Sequence, residues 1–278
     1  MKKIKALIDM IRPINAVMTA IGVVIGNLFT GSLSTVSVVA QVVAAIAAVG
    51  FGNVINDIND IETDRVAHPK RALPSGIISV RGALNYACFL GIVALVAGRV
   101  ASVAHLYGVF VPLFLLIVYA IKLKGTPILG NVVVSLLVAY PLLFGAIGVN
   151  LSAVALPAIL AFITNLIREI VKDIIDYPGD SRAGIVTTAS LDSRVIYGFL
   201  NFLIATSFIA LILPLTSNLF RLFYPIGTAL VVIPLMRKGV RLYRDRELIT
   251  FAQNLKMQLL AGLLLIGVEG IRSIFTAV

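Results

Sequence analysis

The sequence predicts an all-α protein that is embedded in a membrane and crosses it about nine times. Of its 278 residues, 59% are hydrophobic and 13% are charged, and the mean hydropathy is +1.03. Ordinary soluble domains carry about 25% charged residues, so this composition excludes a typical soluble fold. Helices are the expected elements because a helix in lipid satisfies its own backbone hydrogen bonds. We expect residues 1–278 to form a single intramembrane domain.

Apolar runs along the chain predict where the crossings lie. A helix of about 20 apolar residues crosses about 30 Å of hydrocarbon. Runs of about this length occur at 14–31, 36–56, 83–101, 103–121, 127–148, 153–171, 193–214, 218–236 and 252–276.

The basic residues predict how these helices are oriented. With the N-terminus in the cytoplasm, every Lys and Arg except Arg99, Arg221 and Arg272 falls on the cytoplasmic side. Cytoplasmic loops carry such an excess, so we predict a multi-pass protein of the cell membrane with a cytoplasmic N-terminus. The basic residues form no continuous helix face, so the net charge of +10 gives no reason to expect a nucleic-acid partner.

Acidic residues concentrate in two short windows, 57–64 and 169–180, which hold eight of the 13 in the chain. Each window contains the pattern D-x-x-D-x-x-x-D, and the second copy begins 116 residues after the first. The first acid motif is Asp57, Asp60 and Asp64, and the second acid motif is Asp173, Asp176 and Asp180. Four predicted crossings separate the motifs, which would return the chain to the same cytoplasmic face. The spacing suggests a parallel internal repeat.

The residue types in these motifs indicate a metal and a diphosphate. On a helix, each motif places its carboxylates along one stripe, and Asn53 and Asn56 fall on the first stripe. Two carboxylates about 6 Å apart repel by roughly 3 kcal/mol at an effective dielectric near 20, and a bound cation removes that repulsion. Carboxylates without His or Cys suit Mg2+, which completes its coordination with water and substrate phosphate. We also expect Pro178 and Gly179 to end the second helix before Asp180.

Basic residues near the motifs are candidates for stabilising the charge of a departing diphosphate. They are Arg65, Lys70, Arg71, Lys122, Lys124, Lys172 and Arg182. Prolines and a glycine at 69, 74 and 76 predict a stiff, turned loop that could cover the site. The positive-inside rule explains each basic residue about as well, so both interpretations stay open.

Taken together, the chain resembles the UbiA superfamily of intramembrane prenyltransferases over nearly its whole length. The family's motif N-D-x-x-D-x-x-x-D is matched by Asn56, Asp57, Asp60 and Asp64, and its motif D-x-x-x-D by Asp176 and Asp180. Its opening segment and its loop ending are matched by Arg12-Pro13-Ile14-Asn15 and Pro74-Ser75-Gly76. The chain departs from the family at Ala72, where the loop usually has proline. It matches the family's Tyr-x-x-x-Lys element only loosely, which leaves open whether Lys122 or Lys124 contacts the diphosphate.

The resemblance implies helices around a central cavity that opens to lipid, with Mg2+ and a prenyl diphosphate held by the two acid motifs. An acceptor would attack C1 of the prenyl group as diphosphate leaves. The residues expected to act in catalysis are Asn56, Asp60, Asp64, Asp176 and Asp180. The expected metal ligands are Asp57, Asp60, Asp64, Asp173, Asp176 and Asp180. The expected substrate-binding residues are Arg12, Asn15, Asn53, Lys70, Arg71, Tyr119, Lys122, Lys124 and Lys172.

The acceptor is the most open part of this prediction. Within the superfamily, the segments 168–180 and 122–127 look most like those of the archaeal digeranylgeranylglyceryl phosphate synthases. Those enzymes add a geranylgeranyl group to geranylgeranylglyceryl phosphate, a lipid acceptor, in ether-lipid synthesis. One alternative is a related prenyltransferase that acts on an aromatic quinone precursor or a tetrapyrrole. An alternative of another class is a cation transporter, although transport sites usually lie near the bilayer midplane.

Overall fold

The computed structural model describes residues 2–29, 34–148, 151–182, 184–212 and 223–276, and these residues form helices joined by short loops. The α-helices are α1 (Lys2–Ile11), α2 (Pro13–Leu28), α3 (Thr35–Asn59), α4 (Ile61–Ala67), α5 (Val80–Ala101), α6 (Val103–Val118), α7 (Leu129–Gly145), α8 (Leu151–Arg182), α9 (Ser193–Ile212), α10 (Phe223–Gly227), α11 (Ile233–Arg244) and α12 (Leu248–Thr276). Two π-helical segments, Tyr119–Leu123 and Thr228–Val232, follow α6 and α10, and a 3-10 turn covers Thr188–Ser190.

The helices confirm the prediction of an all-α membrane protein. Every predicted apolar run contains a helix in the described ranges, although the ends of 14–31, 193–214 and 218–236, and Arg221, lie outside them. Within the described residues, six helical segments are long and apolar enough to cross a membrane, one of them being α6 with the π-helical segment that follows it. The pair α1 and α2, bent by 47°, would be a seventh if the two helices form one span. The helix α7 is apolar but has only 17 residues. The count of nine crossings therefore stays a prediction.

Contacts divide the chain into two compact units. The first unit comprises Met1–Val24 and Leu33–Lys124, and the second comprises Ile25–Ser32 and Gly125–Val278. The first acid motif belongs to the first unit and the second acid motif to the second.

Small side chains hold the first unit together. The buried residues of α3 include Ala40, Ala44, Ala47, Ala48, Gly50 and Gly52, and those of α5 include Ala83, Ala87, Ala94, Ala97 and Gly98. Helices in lipid associate through such close packing, because lipid tails are as apolar as the side chains. A Cβ added to Gly52 would overlap the Leu116 side chain, so the glycine leaves room for Leu116 of α6 against α3.

Larger apolar side chains form the core of the second unit. The helix α8 supplies Ile163, Leu166, Ile167, Ile170 and Val171, and the other buried side chains of the cluster come from α9, α11 and α12. Ile170, Val171 and Leu200 are fully buried in this cluster. The cluster fixes the middle of α8, from which the second acid motif continues.

The end of α8 differs from the expectation that Pro178 and Gly179 would stop the helix before Asp180. The helix continues to Arg182, and Gly184, with φ +69°, follows it. Pro178 removes the helical hydrogen bond to the Ile174 carbonyl, and Ile174 is only half-buried, so the loss of this one bond does not stop the helix. The backbone N–H of Ile185 then donates to the Asp180 carbonyl at 2.9 Å. The glycine that permits the turn out of the helix is therefore Gly184, and Asp180 remains helical.

Candidate active site

The first acid motif spans the junction between α3 and α4. The helix α3 ends at Asn59, and Asp60 stands between the two helices with φ −91° and ψ 4°. The Asp60 N–H donates to the Asn56 carbonyl at 2.9 Å, and the Asp64 N–H donates to the Asp60 carbonyl at 2.8 Å. The predicted single helical stripe is thus interrupted at Asp60, although the backbone stays hydrogen-bonded through the break.

Asp57 contacts the residue at which the N-terminal helices bend. Arg12 lies between α1 and α2, and its Nη2 donates to Asp57 Oδ1 at 2.9 Å. The neighbouring Asn53 Nδ2 donates to the Ile11 carbonyl at 2.9 Å. Arg12 has φ +58°, a conformation that costs a residue other than glycine about 1–3 kcal/mol. These two hydrogen bonds hold the strained turn against α3, which places the predicted substrate-binding residues Arg12 and Asn53 at the motif.

Asp60 has a lysine and an amide as partners. Its carboxylate forms an ion pair with Lys124 and accepts a hydrogen bond from Asn56 Nδ2 at 3.0 Å. The Asn56 Oδ1 atom is buried and has no hydrogen-bond partner in the described part of the chain. Of the two candidate lysines, Lys124 is thereby shown to contact a carboxylate of the first acid motif.

Asp64 is the most buried carboxylate of the first acid motif. Its side chain is 7% exposed, and both of its oxygens accept from Arg71 Nη1 at 2.8 Å. The loop after α4 turns as the sequence predicts, because the Arg71 N–H bonds to the His68 carbonyl at 3.0 Å. Gly76, with φ +71°, permits a second turn in this loop. The turned loop therefore places the Arg71 guanidinium in contact with Asp64 of the first acid motif.

Four other predicted substrate-binding residues belong to the first unit: Asn15, Lys70, Tyr119 and Lys122. Asn15 and Lys70 are exposed, the first in the opening turn of α2 and the second in the loop after α4. Tyr119 and Lys122 belong to the π-helical segment that precedes Lys124. The Lys124 N–H donates to the Tyr119 carbonyl at 2.8 Å, which links this segment to the residue that reaches Asp60.

The second acid motif lies in the last turns of α8. Asp173 Oδ2 accepts hydrogen bonds from Asn131 Nδ2 at 3.0 Å and from the Thr188 N–H at 3.2 Å. Asp176 is exposed and Asp180 is half-buried. The three carboxylates therefore have different surroundings: Asp173 accepts two hydrogen bonds from the protein, Asp176 is exposed to solvent, and Asp180 is half-buried.

Lys172 has a carboxylate partner on its own helix. Its Nζ lies 3.0 Å from Glu169 Oε2, and Arg168 Nη1 lies 2.6 Å from Glu169 Oε1. Each carboxylate oxygen of Glu169 therefore already pairs with a cationic side chain. Diphosphate binding by Lys172 stays a prediction, and it would require this lysine to leave Glu169.

Sequence analysis missed two polar residues of the second unit, Asn131 and Thr188. Both are buried, with 7% and 2% exposure. Asn131 had a signal that could have found it, because polar residues inside a predicted membrane span are often functional. Thr188 had none, since it lies in a polar loop 15 residues after the carboxylate that it contacts.

The donor atoms of the first acid motif fit a hard divalent cation. Within the described residues, no three His, Cys, Asp or Glu side chains are close enough to hold an ion by themselves. The motif nevertheless offers carboxylate oxygens and the unpartnered amide oxygen of Asn56, the ligand types that Mg2+ prefers. A cation bound here would complete its coordination with water or a ligand oxygen.

Comparisons of the sequence with known proteins agree with this chemistry. The profile of the UbiA prenyltransferase family matches residues 16–260. The digeranylgeranylglyceryl phosphate synthase of Methanopyrus kandleri is 37% identical over 189 residues, 66% of this chain and 68% of that protein. The synthase of the same name from Methanoculleus marisnigri is 34% identical over 232 residues, 82% of this chain and 83% of that protein.

Solved structures share the fold. A chain from work on the "biosynthesis of Digeranylgeranylglyceryl phosphate synthase in membranes" superposes with a TM-score of 0.81 at 27% identity, covering 98% of this chain and 100% of that one. A UbiA homolog from Archaeoglobus fulgidus, bound to GPP and Mg2+, superposes with a TM-score of 0.73 at 17% identity. It covers 94% of this chain and 99% of the other. The family match over most of the sequence and these folds lead to one conclusion: this chain is a member of the UbiA prenyltransferase family.

Proposed function

We propose that this protein transfers a geranylgeranyl group from geranylgeranyl diphosphate to geranylgeranylglyceryl phosphate, with Mg2+ as its cofactor, in archaeal ether-lipid synthesis. The observation that carries the proposal is the arrangement of charges in the first acid motif. Each of its carboxylates contacts one cationic side chain, from Arg12, Lys124 or Arg71. Together with synthases of this name that align over most of the chain, this arrangement favours diphosphate chemistry.

The paired charges suit a ligand that brings both signs. A divalent cation is attracted to carboxylates, and a diphosphate is attracted to guanidinium and ammonium groups. Binding of the two together would let Arg71 and Lys124 turn from Asp64 and Asp60 to diphosphate oxygens. Both basic side chains are about 40% exposed, so they can move toward a ligand.

The reaction breaks the bond between C1 of the prenyl group and the diphosphate oxygen, and the electron pair leaves with the diphosphate. The acceptor hydroxyl oxygen forms the new bond to C1, and its proton passes to water. Cationic side chains stabilise the charge that grows on the leaving group, most strongly where water is scarce. Bound Mg2+ would neutralise part of the same charge.

We propose distinct roles for the acidic residues. Asp60 and Asp64 in the first acid motif, and Asp176 and Asp180 in the second, would supply metal and metal-water ligands. Asp57 would join these ligands and would also keep Arg12 in position, because its Oδ1 accepts a charge-assisted hydrogen bond from Arg12. Asn56 would orient Asp60 through its Nδ2 and offer its buried Oδ1 to the cation.

Multiple apolar helices and the family place the protein in a membrane as a multi-pass protein. We propose further that its N-terminus and active site face the cytoplasm and that residues 1–278 act as one prenyltransferase domain. The distribution of Lys and Arg supports this orientation. The long prenyl tails of donor and acceptor would stay in lipid, since each buried CH2 favours an apolar setting by about 0.8 kcal/mol.

Diphosphate release tests the proposal in lipid nanodiscs supplied with geranylgeranyl diphosphate and geranylgeranylglyceryl phosphate. We expect release that requires the acceptor, stops with EDTA and returns with Mg2+. Asp64→Asn should lose activity, whereas Asp245→Asn, a matched control at an exposed carboxylate outside both motifs, should keep it. Cation flux into proteoliposomes without any diphosphate release would support the transporter alternative instead.

A further inference from the structure

A buried chain of hydrogen bonds in the second unit connects three segments that are far apart in sequence. Thr188, in the 3-10 turn, contacts Asn131 in α7, and both contact Asp173 in α8. The Thr188 hydroxyl also accepts from the backbone N–H of Ile128 at 2.8 Å. The segment before α7, the end of α8 and the loop after α8 therefore meet at one threonine.

We infer that Asn131 and Thr188 are positioning residues that orient the second acid motif by holding Asp173 at its Oδ2 atom. We call this arrangement the anchor, and Asp173 stays among the predicted metal ligands. The inference rests on the proposed function. It assigns a role to two residues that no part of the predicted site included.

The Thr188 hydroxyl and the Asp173 carboxylate together hold the two ends of the Asn131 amide. A hydroxyl has one hydrogen to donate, and here it goes to Asn131 Oδ1, while the oxygen accepts from Ile128. With Oδ1 occupied in this way, Nδ2 of Asn131 faces Asp173 Oδ2. Without the hydroxyl, Asn131 Oδ1 would lose this donor, and the amide would be held only through its Nδ2 contact with Asp173. Thr188 therefore acts on Asp173 directly through its backbone N–H and indirectly through Asn131.

Fixing Asp173 fixes its neighbours on the helix. Residues three and seven positions apart lie on one face of an α-helix, so Asp176 and Asp180 share the stripe of Asp173. Two further hydrogen bonds lie beside Asn131: Ser135 Oγ donates to the Asn131 backbone carbonyl at 2.7 Å, and Asn165 Nδ2, on α8, donates to Ser135 Oγ at 3.3 Å. These bonds link α7 to α8, and the contact with Asp173 would extend this link toward the exposed last turns of α8.

The same threonine restrains the loop before α7. Ile128 has φ +62°, which a β-branched residue rarely adopts, and its N–H is the donor to Thr188. A Cβ on Gly125 would lie 3.4 Å from the Val186 carbonyl oxygen, so the two loops run side by side. A strained backbone conformation persists only where its surroundings hold it, so the hydrogen bond from Ile128 to the buried Thr188 hydroxyl indicates that this loop is kept in one conformation.

Thr188→Val tests the inference, because it removes the hydroxyl with little change of shape and leaves the backbone N–H to Asp173. Thr188→Ser restores the hydroxyl, and Thr206→Val is the matched control, since that hydroxyl only bonds back to Phe202 of its own helix. Loss of partners behind metal ligands usually costs about 10- to 100-fold in metal affinity or activity. We therefore expect Thr188→Val to weaken Mn2+ binding in the presence of inorganic diphosphate by about tenfold or more, with Ser and the control within about twofold of the parent.

Two further readouts separate this inference from the proposed function. Amide hydrogen exchange at Ile128 should accelerate in Thr188→Val and not in Thr188→Ser, whatever reaction the protein catalyses. In the transfer assay, kcat should fall more than KM for the acceptor rises. If Thr188→Val binds Mn2+ as tightly as Thr206→Val, or if Thr188→Ser is as weak as Thr188→Val, the inference is wrong. Loss of Mn2+ affinity with no transfer even by the parent protein would support the anchor and reject the proposed reaction.

Discussion

Replacing Lys124 by alanine should lower the rate of catalysis strongly and leave the stability of the fold almost unchanged. The Lys124 side chain is 40% exposed and pairs with Asp60, which is 18% exposed. An ion pair so open to solvent contributes about 0–1 kcal/mol to folding, so the thermal midpoint should change little. If the ammonium turns to the leaving diphosphate, its loss should cost about 3–4 kcal/mol of transition-state stabilisation, which is about 10²- to 10³-fold in kcat/KM.

Lys122→Ala is the matched control, because it removes an identical group two residues earlier in the π-helical segment. Diphosphate release with both substrates gives kcat/KM, and thermal unfolding in detergent gives the stability of each variant. We expect Lys122→Ala to lose much less activity than Lys124→Ala. Small, equal losses at both lysines would refute this reasoning and leave the positive-inside rule as their explanation.

Further predictions concern the acid motifs, the helix packing and the donor. Replacing a single proposed metal ligand by alanine should nearly abolish turnover while the protein stays folded; the four positions are Asp60, Asp64, Asp176 and Asp180. Near-normal activity of two such variants at saturating Mg2+ would contradict the metal-ligand proposal. Gly26→Ala should lower the free energy of unfolding by about 1–3 kcal/mol, because its Cβ would lie 2.9 Å from Gly145 Cα, whereas Gly198→Ala, with open space around it, should not destabilise. A donor fluorinated near its allylic system should bind as tightly as the natural one but react orders of magnitude more slowly, because the fluorine destabilises cationic character at C1. Equal rates with chemistry rate-limiting would indicate direct displacement.

Sequence reasoning predicted the helices well because apolar run length is a local property. It failed where a contact distant in sequence decides the structure. The bend at Arg12 is held by Asp57, 45 residues away, so no local pattern could predict a left-handed arginine between two helices. At Pro178, local rules predicted a stop, but the loss of one hydrogen bond does not end the helix, which continues to Arg182.

In the candidate site, too, local sequence patterns predicted some features, whereas contacts between residues distant in sequence decided the others. The spacing of carboxylates identified both acid motifs, and the structure adds their partners. Sequence could not decide between Lys122 and Lys124, since both follow the same apolar run, whereas the structure pairs Lys124 with Asp60. The anchoring of Asp173 by Asn131 depends on two helices meeting 42 residues apart in sequence. The parallel internal repeat stays a prediction.

Product identification by mass spectrometry is the most direct test of the proposed transfer to geranylgeranylglyceryl phosphate. The purified protein would receive geranylgeranyl diphosphate and Mg2+ with a panel of acceptors: geranylgeranylglyceryl phosphate, an aromatic quinone precursor and a tetrapyrrole. We predict one product, with the mass of digeranylgeranylglyceryl phosphate, which is absent when EDTA is present. A prenylated quinone precursor or tetrapyrrole with no glyceryl phosphate product would contradict the assigned acceptor. The absence of any prenylated product from active, folded protein would contradict the proposed reaction itself.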